Sequence, residues 1–159
     1  MRSAAEVFRP ATLADEQDAS LYGRLGMLLG LQTILHSELE LAERIEKGLS
    51  VSVVQTLRGR IGFSDAEMSA LVAPRRTLAR RATLAQPLSH QEADSAVRVA
   101  RVTARAQQVF AGKPEYVGEW LRAPNPALNG RTPMQALATD AGARAVEEML
   151  IGIDYGLFQ

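Results

Sequence analysis

Apolar side chains recur at helical spacing along most of this chain, and no stretch of useful length alternates apolar and polar residues as a half-buried strand would. The clearest case is residues 64–73, where Ser64 and Glu67 form the capping-box pattern that begins a helix. Pro74 ends that helix, because the residue before a proline is pushed out of the helical region, and it also suits the first turn of a second helix. The pattern therefore predicts two short helices joined by a tight turn.

Similar patterns predict helices on both sides of this pair. Capping boxes at Ser37, Ser89 and Thr132 begin three of them. Two prolines and an Asn-Gly pair predict a loop over residues 123–130. Together these features predict an all-α fold. The predicted helices cover residues 38–47, 51–60, 64–73, 75–81, 90–110, 114–122, 133–138 and 140–154.

The predicted helices fall into three segments. Residues 37–112 have the size of a helix-turn-helix bundle, residues 113–159 form a small helical domain, and residues 1–36 precede both. Residues 1–20 are polar and mixed in charge, which is typical of an N-terminal arm. Residues 21–31 are apolar but are interrupted by three glycines. Two interpretations of this apolar segment stay open, because it can pack against a second copy of the chain in a dimer or inside its own chain.

Charge is distributed unevenly, although the formal net charge is +0. Residues 57–81 carry six arginines against Asp65 and Glu67, which gives this segment a net charge of +4. Residues 1–56 and 113–159 are net acidic. A localised basic face favours nucleic-acid binding even when the total is neutral. The alternative is a solvated helix that happens to be rich in arginine.

The second helix of the pair is the predicted DNA-reading element. The N-terminal residues of such a helix meet base edges, and arginine can hold guanine through two hydrogen bonds. This geometry favours Arg76 and Thr77 as base contacts and Arg80 and Arg81 as phosphate contacts. The full predicted DNA-binding set is Arg58, Arg75, Arg76, Thr77, Arg80 and Arg81.

The composition argues against several other functions. The chain has no cysteine, which excludes disulfides and thiol catalysis and fits a reducing compartment. His36 and His90 are isolated, and there is no glycine-rich phosphate loop or nucleophile elbow. We therefore expect no metal, no cofactor and no enzymatic activity. Because a signal peptide and a long apolar run are also missing, we expect a cytoplasmic protein with no membrane segment.

The C-terminal third resembles a known family. The toxin-binding domain of Xre/MbcA/ParS-type antitoxins is similar to residues 120–133 (WLRAPNPALNGRTP), 141–147 (AGARAVE) and 153–156 (IDYG). Residues 37–112 resemble the Xre-like helix-turn-helix domain that precedes it in the same family. One departure is Ala73, which stands at a turn position where helix-turn-helix motifs often have glycine.

This resemblance implies the antitoxin of a type II toxin–antitoxin system. Its partner would be a RES-domain toxin that depletes cellular NAD⁺. The C-terminal domain would bind the toxin and block its active site, and the helix-turn-helix would repress the antitoxin's own operon as a homodimer on operator DNA. The alternative is a stand-alone helix-turn-helix transcriptional regulator whose C-terminal domain binds an effector or another protein.

The last helix and the tail after it are the predicted toxin-binding surface. An apolar and aromatic chain end is expected to dock on another surface. The alternative is that Tyr155 and Phe158 close the core of the small domain itself. The predicted toxin-binding residues are Arg144, Glu147, Glu148, Ile151, Tyr155, Leu157 and Phe158.

Overall fold

The computed structural model describes residues 20–110 and 113–157. All regular structure in these ranges is helical, which confirms the predicted all-α fold. None of the described helices combines the length and the apolar character that a membrane crossing requires. The α-helices are α1 (Leu21–Leu29), α2 (Glu38–Lys47), α3 (Ser52–Ile61), α4 (Asp65–Leu71), α5 (Arg75–Thr83), α6 (His90–Val109), α7 (Pro114–Arg122), α8 (Pro133–Ala136) and α9 (Asp140–Asp154), and a 3₁₀ turn covers Pro126–Leu128.

Three of the four predicted capping boxes form, and the exception is the box at the start of α2. There the Ser37 hydroxyl accepts the N–H of Glu40 at 3.2 Å, as expected. The carboxylate of Glu40, however, accepts the N–H of His36 at 2.9 Å, so the predicted reciprocal bond to Ser37 is wrong. The side chains of Ser37 and Glu40 thus satisfy the backbone amides of Glu40 and His36. The confirmed boxes are Ser64 with Glu67, Ser89 with Glu92 and Thr132 with Gln135.

The long helix α6 lies at the centre of the fold. Helices α1 and α9 pack along it, and α2, α3, α4 and α7 contact it as well. More than half of its circumference is buried, and small side chains on this surface let the neighbouring helices approach closely. The Thr103 hydroxyl is buried there but satisfied, since it donates to the Val99 carbonyl at 2.9 Å. The buried positions are Ala93, Ala96, Val97, Val99, Ala100, Val102, Thr103, Ala104 and Ala106.

Helix α1 belongs to the core of the chain. Leu25, Leu28 and Leu29 are buried, and α1 packs on α3 and α6. Gly30 ends the helix with a positive φ of 66°, and the N–H of Leu31 reaches back to the carbonyl of Gly26 at 3.0 Å. Residues Leu21–Leu29 therefore pack inside their own chain, which is one of the two interpretations of this segment. The predicted arm over residues 1–19 lies outside the described residues, and a dimerisation role for this segment stays a prediction.

The C-terminal helices α7 and α9 also pack on α6. The rings of Phe110 and Trp120 lie 5.7 Å apart between α6 and α7. The predicted loop then turns through Asn129 and Gly130, which have φ values of 56° and 79°. The carbonyl of Asn125 accepts the N–H of Gly130 at 3.0 Å and so closes the turn. This turn brings α8 and α9 back against α6 and α7.

Two glycines should respond in opposite ways to alanine. A Cβ on Gly142 would collide with the carbonyl group of Ala136, which is backbone and cannot move cheaply. A Cβ on Gly59, inside α3, would meet nothing within 4 Å. We expect Gly142→Ala to lower the free energy of unfolding by about 1–3 kcal/mol, and Gly59→Ala to raise it by about 0.5–1 kcal/mol. Urea unfolding of both variants measures this, and equal effects of the same sign would contradict it.

Candidate DNA-binding and toxin-binding surfaces

Helices α4 and α5 form the predicted helix-turn-helix. The turn consists of Val72, Ala73 and Pro74, and neither Val72 nor Ala73 has a positive φ. Glycine is therefore not required at Ala73, whose side chain is buried. Met68 of α4 and Leu78 of α5 are also buried, and both line the same groove. The departure from the usual glycine at this turn costs no backbone strain.

The outer face of α5 carries cations that are available for binding. The side chains of Arg76 and Arg80 are exposed. Within residues 20–110 and 113–157, neither side chain makes a hydrogen bond or an ion pair. Thr77 is half-buried between them. Arg60, at the end of α3, is exposed in the same way.

Asp65, the first residue of α4, holds two further arginines. Its carboxylate lies 2.9 Å from the Nε of Arg58 on α3 and 3.7 Å from Nη1 of Arg75 at the start of α5. The side chain of Arg75 is nevertheless 81% exposed. These arginines border an open groove of about 1020 Å³ between α3 and α5. The groove is basic, but Asp65 neutralises part of its charge.

Arg81 has a structural partner. Its Nε lies 2.7 Å from Oε2 of Glu92, its Nη2 donates to Oε1 of Glu92 at 3.1 Å, and Nη1 donates to the Pro87 carbonyl at 3.4 Å. Burial raises the pKa of Glu92, but the N–H of Ser89 and the guanidinium of Arg81 outweigh it, so the pKa lies below its usual value. The contact ties the end of α5 to the start of α6. A phosphate contact by Arg81 stays a prediction, although this pairing disfavours it.

The last turn of α9 and the residues directly after it expose an apolar stripe. Ile151 is 42% exposed, Tyr155 76% and Leu157 74%. The helix ends in a regular cap, because Gly156 has a φ of 68° and the N–H of Leu157 bonds to the Gly152 carbonyl at 2.9 Å. This cap fixes the backbone of Tyr155 and Leu157 but leaves both side chains in solvent. Phe158 lies outside the described residues.

The charged residues of α9 have different surroundings. Arg144 and Glu148 are exposed, and Arg144 pairs with Asp140 one turn earlier at 2.9 Å. Glu147 instead is half-buried beside Arg101 and Arg105 of α6. Burial raises the pKa of Glu147 in spite of these two cations. Among the described residues, the predicted toxin-binding set thus divides into an exposed group and Glu147, which faces the core helix.

Comparisons with known proteins agree with this geometry. Residues 40–101 match the model of the antitoxin Xre-like helix-turn-helix domain, and residues 105–156 match that of the antitoxin Xre/MbcA/ParS C-terminal toxin-binding domain. The chain is 38% identical over 138 residues to antitoxin Xre of Pseudomonas putida, an alignment that covers 84% of each protein. The chain belongs to the Xre/MbcA/ParS antitoxin family. This confirms the resemblance seen in the sequence.

Two further relatives are more distant. Antitoxin Xre of Yersinia enterocolitica is 29% identical over 119 residues, which is 74% of this chain and 80% of the relative. A Sphingobium protein named Prs ADP-ribosylating antitoxin is 28% identical over 123 residues, which is 72% of this chain and 77% of the relative. The chain is therefore an antitoxin with a helix-turn-helix and a toxin-binding domain.

Sequence reasoning missed the ion pairs that connect the parts of this antitoxin. Arg101 of α6 holds Glu38 of α2 through contacts of 2.5 and 3.0 Å, which lower the pKa of Glu38. Arg122 of α7 holds Glu67 of α4 in the same two-bond manner. Glu38 and Glu67 each sit at a helix start, where a carboxylate already has a local explanation. No signal in the sequence links them to arginines more than fifty residues away.

Glu147→Gln should stabilise the protein at neutral pH. A carboxyl whose pKa is raised by folding contributes stability that is fully present below its unfolded pKa of about 4.3 and is lost as the pH rises through the folded pKa. At pH 7 its charge is therefore a net cost, and the neutral amide removes this cost. We expect the variant to have a higher Tm than wild type at pH 7 and an equal Tm near pH 3.5.

The matched control for this variant is Glu148→Gln, the exposed neighbour on the same helix, which should leave the Tm unchanged at both pH values. A lower Tm of Glu147→Gln at pH 7 would mean that attraction to Arg101 and Arg105 dominates over burial.

Proposed function

We propose that this antitoxin neutralises a RES-domain toxin that degrades NAD⁺, by covering the toxin's active site with the end of α9, and that it represses its own operon as a homodimer. The observation that carries the proposal is the exposed stripe of Ile151, Tyr155 and Leu157 within the match to the toxin-binding domain. ADP-ribosylation, which the Sphingobium relative's name mentions, uses NAD⁺ as its donor and so supports a partner with NAD⁺ chemistry.

The stripe has the composition of a protein-binding surface. Tyrosine is enriched among the residues that dominate interface energies, because it brings a large apolar face and one polar group. Arg144 and Glu148 extend the stripe with exposed charges, as the polar rim of an interface would. The C-terminal cap at Gly156 holds the backbone of this end before binding. Such preorganisation lowers the entropy cost of association.

The DNA-binding half of the proposal rests on α5. Arg76 and Thr77 lie in its first turn, where a recognition helix meets base edges. Arg80 follows one turn later on the exposed side and suits a phosphate contact. Arg58 and Arg75 can join them at the groove, although each shares Asp65.

The experiment that tests the toxin-binding half is co-expression with the product of the neighbouring gene. We expect the neighbour alone to stop growth and lower cellular NAD⁺, and this chain to restore both and to co-purify with it. A harmless neighbour that does not co-purify would favour a stand-alone transcriptional regulator. Growth arrest without loss of NAD⁺ would retain the antitoxin but reject the RES-type toxin.

Removal of residues 155–159 should abolish neutralisation and leave a folded, DNA-binding protein. The point variants Tyr155→Ala and Leu157→Ala should each weaken toxin binding, because both side chains are exposed and apolar. The control is Leu39→Ala on α2, which is 69% exposed and lies outside the toxin-binding match. Growth rescue and pull-down measure the effect. Full neutralisation by the truncated chain would count against coverage of the active site by this end.

Arg76→Ala should lose about 1–3 kcal/mol of discrimination at one base pair of the operator. Arg80→Ala should instead weaken binding to all sequences by a similar factor and reduce the salt dependence by about one counterion. Titration of a duplex from upstream of this gene, and of its single-base variants, separates the two effects. Unchanged affinity and selectivity in Arg76→Ala would remove Arg76 as a base contact.

A further inference from the structure

The guanidinium of Arg122 connects the toxin-binding domain directly to the helix-turn-helix. Its Nε and Nη2 lie 2.9 and 3.0 Å from the two carboxylate oxygens of Glu67. Nη2 also donates to the carbonyl of Gly62 at 3.2 Å. The group lies 5.5 Å from the ring centre of Phe63, whose side chain is buried. All of these partners surround the junction between α3 and α4.

Arg122 donates to the Gly118 carbonyl of its own helix at 3.2 Å, and its other partners lie where α4 begins. Glu67 closes the capping box of α4, because its Oε2 accepts the N–H of Ser64 at 2.8 Å. Gly62 ends α3 in the left-handed conformation, with a φ of 76°. Phe63 is the residue between this end and the cap. Arg122 thus contacts the end of one helix, the connecting residue and the capping residue of the next.

The same contacts control charge at the start of α4. In helix-turn-helix proteins the first helix of the motif crosses the DNA backbone, and helix N-termini commonly contact phosphates. A negative Glu67 at this end would repel a phosphate if it were unpaired. The hydrogen bond from Arg122 is the largest of the influences that lower the pKa of Glu67, so this carboxylate is ionised and paired. Arg122 offsets its charge and holds it inside the capping box.

We propose that Arg122, a residue of the toxin-binding domain, is a positioning residue for operator binding. It holds the start of α4 in place and neutralises Glu67 next to the path of the DNA backbone. The inference rests on the proposed DNA-binding function of α4 and α5. It adds that the C-terminal domain takes part in reading the operator through this one side chain.

A second ion pair in the chain serves as a control that distinguishes the proposed role of Arg122 from simple stabilisation of the fold. Arg101 and Glu38 also meet through two bonds, at 2.5 and 3.0 Å, and they join α2 to α6. Their side chains are 28% and 55% exposed, against 41% and 23% for Arg122 and Glu67. Partly exposed pairs of this kind contribute little to stability. Loss of either ion pair should therefore lower the Tm only slightly. Only loss of the Arg122–Glu67 pair should weaken DNA binding.

The experiment measures binding of full-length variants to a duplex from upstream of this gene, with growth rescue as a second readout. We expect Arg122→Gln to weaken operator binding about tenfold and to leave neutralisation intact. Glu67→Gln keeps a capping acceptor but removes the charge, so adding it to Arg122→Gln should restore most of the affinity. Arg122→Lys should fall between wild type and Arg122→Gln, and Arg101→Gln should bind as wild type does.

Three results would overturn the inference. The first is wild-type affinity in Arg122→Gln. The second is a loss that neither Glu67→Gln nor Arg122→Lys relieves, since the effect would then be general destabilisation. The third is lost neutralisation with unchanged operator binding, which would place Arg122 in the toxin-binding surface. If neither the wild-type protein nor Arg76→Ala binds the duplex, the proposed DNA-binding function fails. This inference, which rests on it, then fails as well.

Discussion

Burial of α6 is the constraint on which the rest of this structure depends. The two family models meet inside this helix, since one match ends at residue 101 and the other begins at residue 105. Helices of the helix-turn-helix part and of the toxin-binding part therefore pack on one continuous rod, and α2 and α9 both approach it at Arg101. Alanines at its buried positions permit close approach on several sides, where larger side chains would hold the neighbours apart. Two functional units with one shared helix cannot fold or move as freely as two domains on a linker.

Around this apolar centre, ion pairs set the relative orientation of the helices. Glu92 at the start of α6 holds the end of α5 through Arg81, Arg101 in its middle holds α2 through Glu38, and Arg122 beyond it holds α4 through Glu67. Each pair is partly exposed, so its contribution to the free energy of unfolding is small. Its geometric effect is larger, because a guanidinium that meets both carboxylate oxygens permits one orientation. The core supplies the stability, and these pairs select the arrangement of α4 and α5, the helices of the proposed DNA-binding surface.

The sequence allowed good prediction of local structure and poor prediction of long-range contacts. Caps such as Ser64 with Glu67, and turns such as Asn129-Gly130, depend on residues a few positions apart, and these predictions are confirmed. Residues 21–31, which three glycines interrupt, are not among the predicted helices, yet α1 forms there because its leucines are buried in the core. That burial is a tertiary effect that propensity does not contain. The half-burial of Glu147 could not be read from the sequence for the same reason, because it depends on arginines of another helix.

These pairings also change how the basic segment should be understood. The net charge of +4 over residues 57–81 predicted a localised basic face. In the described part of the chain, however, Arg58 and Arg75 share Asp65, and Arg81 is held by Glu92. The cations left without an acidic partner there are Arg60, Arg76 and Arg80. For the proposed DNA binding, few free arginines mean a small non-specific attraction to DNA, so recognition would depend more on where each side chain is placed. A narrow charged face therefore makes the orientation of α4 and α5, and everything that fixes it, matter more for binding.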